Sequence, residues 1–325
     1  MSLPFADLLM GTSPASEFQN YLFFLYHFRR LVRHQRGATT LDILKSIATE
    51  QAPRFAKFLP RSLSGKDHVT IRKYLFTSWN AEAVSRLPAG FDPEVLQFTN
   101  QWKPVQAYYA IYFHLVALHF VVNAHVPKQH EPTLRYATQN ILPWFPPPWC
   151  LRFNHNTAAL DQFPQGTQLK APSGWNVSRT TESNTYIACF FRTTAQRDQR
   201  EKWQQHYKNK KKRIEAGPRA GKIYTTADVK VDPVSFFNVL WRFRRWANYL
   251  DADTIIEGGD YTPHAIEFDN SFSEIVEATA LTCENILRHC MGTDRLRDLY
   301  KEYLALVGGH LNCDPVKRRL STLCS

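Results

Sequence analysis

The chain has 325 residues and carries 40 Lys and Arg against 29 Asp and Glu, which gives a net charge of +11. A chain of this length can bury a large core, and its positive field favours phosphate-rich partners. Six cysteines without a Cys-x-x-Cys pair predict reduced, buried thiols, and the N-terminal sequence does not resemble a signal peptide, so we expect a cytoplasmic protein. No Walker glycine loop, dinucleotide fingerprint or Gly-x-Ser-x-Gly elbow occurs, which excludes kinases, dehydrogenases and hydrolases built on those motifs.

Residues 1–100 are predicted to form an N-terminal helical extension. Apolar side chains recur at helical spacing over residues 17–36, and Gly37 follows as a C-terminal cap. A second helix is predicted from Thr40 and a third over residues 68–79.

Residues 101–145 are predicted to contain the central helix. Pro104 suits a helix start, and residues 105–122 carry no formal charge. The stretch is barely long enough to span a membrane and lacks a flanking cationic cluster, so we predict a buried helix and no membrane association. Histidines at positions 114, 119, 125 and 130 are five or six residues apart, a spacing that does not favour a metal site.

Residues 146–230 are predicted to form an insertion. The proline-rich stretch 143–149 marks its boundary, and residues 150–195 predict a small hairpin or irregular layer among turn residues. A charged helix is expected over residues 197–213. It ends in five cations suited to holding phosphates, namely Lys208, Lys210, Lys211, Lys212 and Arg213.

Residues 231–325 are organised around the stretch 235–256. Asp232 and Pro233 predict the N-cap and first turn of its helix, and Phe236, Leu240, Phe243, Ala247 and Leu250 form an apolar stripe. We expect polar and cationic groups along the edge of this stripe to line a site. Helices ending near Gly292 and Val307 should follow, with a frayed basic tail around residues 317–319.

Two stretches resemble the HEPN superfamily of helical-bundle proteins found among prokaryotic toxins, defence proteins and RNases. Residues 107–118, followed by His130-Glu131-Pro132-Thr133, are similar to the family's AYYAMF helix and its loop ending in histidine and a small polar residue. Residues 244–249, RRWANY, are similar to its R-x-x-A-D-Y element. The resemblance implies a mainly α, HEPN-like bundle with the helical extension and the small irregular or β insertion described above. Residues 101–145 would form the first half of this bundle, and residues 231–325 would form its second half and a C-terminal helix.

The resemblance also implies a chemistry. Active members cleave RNA without a metal or other cofactor, through an Arg and a His four to six residues apart, usually in paired sites across a homodimer. Here Arg244 is followed at that spacing by Tyr249 in place of histidine. The implied catalytic set is Arg244, Tyr249, Asn248 and Asp251, with Arg242, Arg245 and the cations of residues 208–213 binding RNA.

Three functions follow from these observations. The first is an RNA-binding protein that is a metal-independent endoribonuclease of toxin or defence type, with an antitoxin or another protein as a possible partner. The second is a catalytically inactive module that binds a nucleic acid, a nucleotide or a protein. The third is a metal-dependent nuclease, because Asp251, Asp253, Glu257 and Asp260 follow the helix, although no Glu-x-Lys motif accompanies them.

The intact Arg-x(4–6)-His spacing occurs elsewhere, in about the number expected by chance. Of these pairs, Arg200 and His206 lie beside the lysine run and form the second candidate. The matches are Arg29/His34, Arg61/His68 and Arg200/His206.

Overall fold

The protein is a bundle of α-helices with one small antiparallel sheet, as the sequence predicts. The computed structural model describes residues 14–37, 39–55, 58, 60–87, 96, 98–154, 159–162, 167–170, 182–214, 231–250 and 262–324. The helices of the first half are α1 (Pro14–Arg36), α2 (Thr40–Phe55), α3 (Gly65–Ser85), α4 (Lys103–Asn123) and α5 (His130–Tyr136). Those of the second half are α6 (Ser183–Ile214), α7 (Phe236–Arg245), α8 (Thr262–Met291), α9 (Thr293–Val307) and α10 (Asp314–Leu323).

Helix α4 lies at the centre of the bundle. Its residues are apolar on nearly every face, and it packs against α3, α7 and α8. Pro104 lies in its first turn, where a missing N–H costs no helical hydrogen bond. The predicted buried helix is therefore present, and it holds α7 on one side and α8 on another.

The N-terminal helices belong to the same core. Helix α1 packs against α6 and α8, and α2 packs against α8. Phe18, Phe24 and Phe28 of α1 are fully buried. Burying several aromatic rings of one helix stabilises its position strongly, since each can remove 150–250 Å² from water.

The sheet has the strand order β3-β2-β1-β4, with β1 (Leu151–Asn154), β2 (Ala159–Gln162), β3 (Thr167–Lys170) and β4 (Val234–Ser235). All neighbouring strands are antiparallel. The hairpin of β1 and β2 lies within the predicted β insertion. Strand β4 comes from much later in the chain and pairs Ser235 with Arg152, so the sheet fixes the point at which α7 begins.

The prediction of a hairpin or irregular layer over residues 150–195 is wrong for residues 183–195. Residues 183–195 form the start of α6, where Tyr186, Phe190 and Phe191 are buried. A short run of aromatic and β-branched residues fits a buried strand or a buried helix equally well by pattern. These residues form a helix because their aromatic side chains pack against the aromatic face of α1.

The prediction of a frayed basic tail around residues 317–319 is also wrong. Residues 314–323 form α10, and Arg319 is fully buried. Its guanidinium donates to both oxygens of Glu82, at 2.9 and 2.7 Å, and to Glu284 at 2.7 Å. A buried cation is tolerated only when such partners compensate its desolvation, so the basic tail is a helix anchored in the core.

All six cysteines are buried and unpaired, as expected from their spacing. Burial raises the pKa of Cys150 to about 11 and that of Cys290 to about 12. These thiols are therefore protonated at neutral pH and pack as small apolar groups.

Candidate functional site

The start of α7 is set by Ser235 rather than by Asp232 and Pro233, which corrects the predicted helix start. The backbone N–H and the hydroxyl of Ser235 both donate to Asn238 Oδ1, at 2.9 and 3.0 Å, in a capping box. Because residues 234–235 pair with β1, the chain is extended before Phe236 and the helix cannot begin earlier. Asp232 instead forms an ion pair with Arg135.

The predicted apolar stripe of α7 faces the core. Phe236, Leu240, Phe243 and Ala247 are buried, while the side chain of Leu250 lies outside the described part of the chain. This orientation turns Trp241 and Arg244 towards α4 and α5.

Arg244 lies under aromatic rings and not on an open edge of the helix. Only 8% of its surface is exposed. Its guanidinium carbon is 4.7 Å from the ring centre of Trp241, 5.2 Å from that of Tyr109 and 5.7 Å from that of Tyr108, and Nη2 donates to the Tyr109 hydroxyl at 3.0 Å. Cation–π contacts of this kind stabilise a desolvated guanidinium.

His130 lies against the same rings. It begins α5 and stacks on Trp241 with ring centres 4.8 Å apart and an interplanar angle of 29°. Its Nδ1 is 2.8 Å from the Tyr108 hydroxyl, and its ring centre is 4.4 Å from that of Tyr112. We call this group the aromatic cluster: Tyr108, Tyr109, Tyr112, His130, Trp241 and Arg244.

The surroundings favour a neutral imidazole in the cluster. Burial and the positive charge of Arg244 both lower the pKa of His130. Burial raises the pKa of Tyr108 well above its ordinary value, so its hydroxyl stays protonated. If Nδ1 of His130 carries the ring proton and donates to Tyr108, Nε2 has a free lone pair and can act as a base.

Two of the three helices that build the cluster, α5 and α7, run into π-helical turns. Helix α5 continues into the π-helix Ala137–Ile141, and α7 continues into the π-helix Trp246–Leu250. Such turns are rare and occur frequently at functional sites, so their position at the ends of α5, which begins with His130, and of α7, which carries Arg244, supports a functional role for the cluster.

The other two arginines of α7 contact different helices. Arg242 donates to the Thr193 and Thr194 hydroxyls of α6, each at 2.9 Å, and to the Tyr21 hydroxyl of α1 at 3.1 Å. Arg245 forms an ion pair with Glu201 of α6. These contacts fix α7 against α1 and α6, a structural role that their position in the sequence does not reveal.

The remaining predicted site residues are only partly described. Asn248 is half-buried within the second π-helix. Tyr249 has a described backbone but its side chain lies outside the described residues, as does all of Asp251. The backbone of Lys208, Lys210, Lys211, Lys212 and Arg213 is helical in α6, with side chains outside the description. Asp253, Glu257 and Asp260 of the metal-nuclease alternative also fall outside it.

A pocket of about 630 Å³ opens beside the cluster, and Trp241 forms part of its wall. We call it the charged pocket. Polar and charged groups from α5, α6 and α7 line it, including Glu131, Arg135, Asp198, Glu201, Lys202, Asn238 and Arg245.

Asp198 differs from the other carboxylates of the charged pocket. Glu201, Asp232 and Glu131 form ion pairs with Arg245, Arg135 and Lys202, whereas no ion pair of Asp198 occurs within the described residues. Burial and the negative charge of Glu201 raise the pKa of Asp198 to about 6, against the lowering effect of nearby cations. The carboxylate is therefore ionised at neutral pH and faces the pocket.

The sequence identified Arg244 but gave no catalytic role to its neighbour His130. The two residues are far apart in the chain, so no local spacing could pair them. The available signal was the stretch from Ala107 to Thr133, because its tyrosines contact both residues.

Two further findings concern other site classes. One helix of the described residues, Lys103–Asn123, is long and apolar enough to cross a membrane, and 72% of its most apolar window is buried inside the protein. Within the described ranges, no group of three or more His, Cys, Asp or Glu side chains is placed to hold a metal ion.

No family model, curated protein or solved structure matches this chain.

Proposed function

We propose that this chain is a HEPN-like protein that binds RNA and cleaves it without a metal ion, with His130 and Arg244 as the reacting pair. The observation that carries the proposal is their shared contact with Tyr108, Tyr109 and Trp241. A proton-transfer group and a fork-shaped cation are thus brought to one place from two distant segments.

The pair supplies what phosphodiester cleavage by a neighbouring hydroxyl requires. His130 Nε2 accepts the proton of the ribose 2′-hydroxyl, whose oxygen attacks the adjacent phosphorus. The bond from phosphorus to the 5′-oxygen breaks, which leaves a 2′,3′-cyclic phosphate and, after protonation, a 5′-hydroxyl. Arg244 donates to the phosphate oxygens as their charge grows, and Tyr109 holds its guanidinium in the ground state.

The rest of the chain supports an RNA partner through charge. The net charge of +11 attracts polyanions, and the cations of residues 208–213 extend α6 beyond the charged pocket. The resemblance of the two motifs to HEPN proteins favours a homodimer with paired sites and a toxin or defence role opposed by a protein partner. We expect the pair to act within such a dimer.

The test is cleavage of total RNA by the purified protein in EDTA. We expect products ending in 2′,3′-cyclic phosphate, and a roughly 100-fold or greater loss of rate in His130→Gln, since positioned acid–base groups typically contribute that much. His125→Gln is the matched control, because His125 lies exposed in the loop before α5 and should leave the rate unchanged. Cleavage undiminished in His130→Gln and Arg244→Ala would overturn the assignment of the pair.

The second candidate is an RNA-binding module without cleavage. The 8% exposure of Arg244 and its hydrogen bond to Tyr109 favour this function, because the guanidinium already has a structural role there. RNA binding that weakens steeply with salt, together with intact RNA after long incubation in EDTA and in Mg²⁺, would decide for this candidate.

A further inference from the structure

We propose that the charged pocket binds a guanine base of the RNA, next to the phosphate that the aromatic cluster engages. This inference rests on the proposed function, because it names the base that the RNA-binding surface selects. It concerns different side chains from the reacting pair.

The pocket and the cluster share a wall. Trp241 contacts His130 and Arg244 on the cluster side and also lines the pocket. Leu134 and Pro233 add apolar surface to the lining. A volume of about 630 Å³ lies within the range of small-molecule sites, so a planar base fits there while the adjoining phosphate reaches the cluster.

The polar groups of the pocket complement the Watson–Crick edge of guanine. That edge presents the N1–H and N2–H₂ donors beside the O6 acceptor. The Asp198 carboxylate accepts from two parallel N–H groups, and its pKa of about 6 leaves it ionised at neutral pH. Because neither adenine nor pyrimidines present two adjacent donors with this geometry, Asp198 favours guanine.

Asn238 supplies the donor on the opposite side. Its Oδ1 accepts from the Ser235 backbone N–H, which orients the side-chain amide and leaves the NH₂ group as a donor to the pocket. Arg245 and Lys202 lie on the same lining. A donor for O6 and an acceptor for N1–H are therefore held on α7 and α6, two elements fixed to each other by Arg242 and Arg245.

Helix α6 leads from the charged pocket to the run of cations at its C-terminal end. Five residues of α6 between Asp198 and Gln205 line the pocket, and Lys208 follows Gln204 by about one helical turn. Nucleotides next to the bound guanine are thus placed near the cationic end of α6, where phosphates gain from positive charge.

The test measures binding of fluorescein-labelled 2′-O-methyl RNA octamers, which cannot be cleaved at the 2′ position, by fluorescence anisotropy in EDTA. Four octamers of U differ only at the fourth base, which is G, A, C or U. We expect the G octamer to bind about tenfold more tightly, as a bidentate base contact discriminates by about 5- to 150-fold. Asp198→Asn should bind all four octamers equally, because its amide places a donor against N1–H or N2–H.

Asp294→Asn is the matched control, since Asp294 is 90% exposed on α9 and should retain the preference for G. Competition of the labelled octamer by free 5′-GMP and 5′-AMP tests the wild-type protein directly, independently of how Asp198→Asn folds. We expect 5′-GMP to compete about tenfold better.

Equal binding of the four octamers by the wild-type protein, with salt-dependent affinity retained, would overturn the guanine pocket and leave the proposed function standing. A preference for G that survives in a folded Asp198→Asn variant would overturn the role of Asp198. Absence of any RNA binding would instead overturn the proposed function, on which the inference rests.

Discussion

Arg244 and Arg319 are both buried arginines, but their described surroundings differ in kind. Arg244 contacts aromatic rings and a phenol hydroxyl near the surface, with His130 on the same rings. Arg319 lies at 0% exposure between two buried carboxylates, Glu82 and Glu284.

The Arg319 region is a closed ionic network. Glu284 also accepts from Trp79 Nε1 at 2.6 Å and from the Tyr300 hydroxyl, and its other neighbour is His114 at 3.0 Å. Although burial alone would raise it, Arg319 and His114 lower the pKa of Glu284 to about 2. Glu284 and Glu82 likewise outweigh burial and raise the pKa of Arg319 well above its ordinary value.

The difference separates an arginine that we expect to stabilise the fold from one that we propose takes part in RNA cleavage. Each charge of the network is satisfied by an opposite charge, so we expect Arg319 to control stability. The aromatic cluster places a cation beside a group that can move a proton, and three of its members, Tyr109, His130 and Trp241, remain partly exposed. We therefore expect changes in the cluster to alter RNA cleavage more than stability.

The largest expected effect is the loss of Arg319. Arg319→Ala removes the cation that two buried carboxylates share and should lower the free energy of unfolding by about 3–5 kcal/mol, measured by urea denaturation. Lys317→Ala, which removes an exposed ion pair with Asp314, should change it by less than about 1 kcal/mol. Similar losses of unfolding free energy in the two variants would show that the buried network stabilises the fold no more than a surface ion pair does.

The network should also fail in acid. Because the folded-state pKa of Glu284 lies below its unfolded value of 4.5, its contribution is present above pH 4.5 and is lost as the pH falls towards 2, by roughly 3 kcal/mol. Glu82, whose pKa is also lowered by Arg319 and Arg86 despite burial, adds to the same window. A free energy of unfolding that stays constant from pH 4.5 to 2 would contradict this account.

A smaller effect is expected from Arg244→Lys. Lysine keeps the charge but cannot present two parallel donors to a phosphate or stack its head group on the rings. We expect the cleavage rate to fall about tenfold, while the melting temperature stays within a few degrees of the wild type. A large loss of stability with an unchanged rate would assign Arg244 to the same structural class as Arg319.

The smallest expected effect concerns the pH dependence of cleavage. The acid limb, where the rate falls because the catalytic base is protonated, should lie at lower pH than for an ordinary histidine. Since burial and Arg244 lower the pKa of His130, its imidazole remains a base at pH values where an exposed histidine, with a pKa near 6.5, is already protonated. The rate should therefore begin to fall only below pH 6.5. In Arg244→Gln the limb should move towards higher pH, because one of the two causes of the lowered pKa is gone.

Much of the helical architecture could be predicted from residue patterns. The bounds of α4 follow from Pro104 and an apolar run, and the end of α8 follows from Gly292, whose φ of 90° suits glycine. Patterns failed where a partner distant in sequence decides the structure. Arg319 looks like part of a solvated basic run until Glu82, 237 residues away in the chain, is placed beside it.

The site was predictable only in part for the same reason. The sequence around Arg244 predicted a helix with cations along one edge, and residues 107–133 predicted the second part of the site. Their meeting at Trp241 depends on β4 pairing with β1, which sets where α7 begins. No property of the local sequence at Asp232 and Pro233 shows that pairing, and the predicted helix start was wrong for that reason.

The most direct test of the account is a double-mutant cycle on RNA cleavage with His130→Gln and Arg244→Lys, measured in EDTA under single-turnover conditions. Groups that act together in one transition state show non-additive losses. We predict that the cleavage rate of the double variant is at least about one third of the rate of the slower single variant. A double variant whose loss equals the product of the two single losses would show that His130 and Arg244 act independently, and would contradict the central claim.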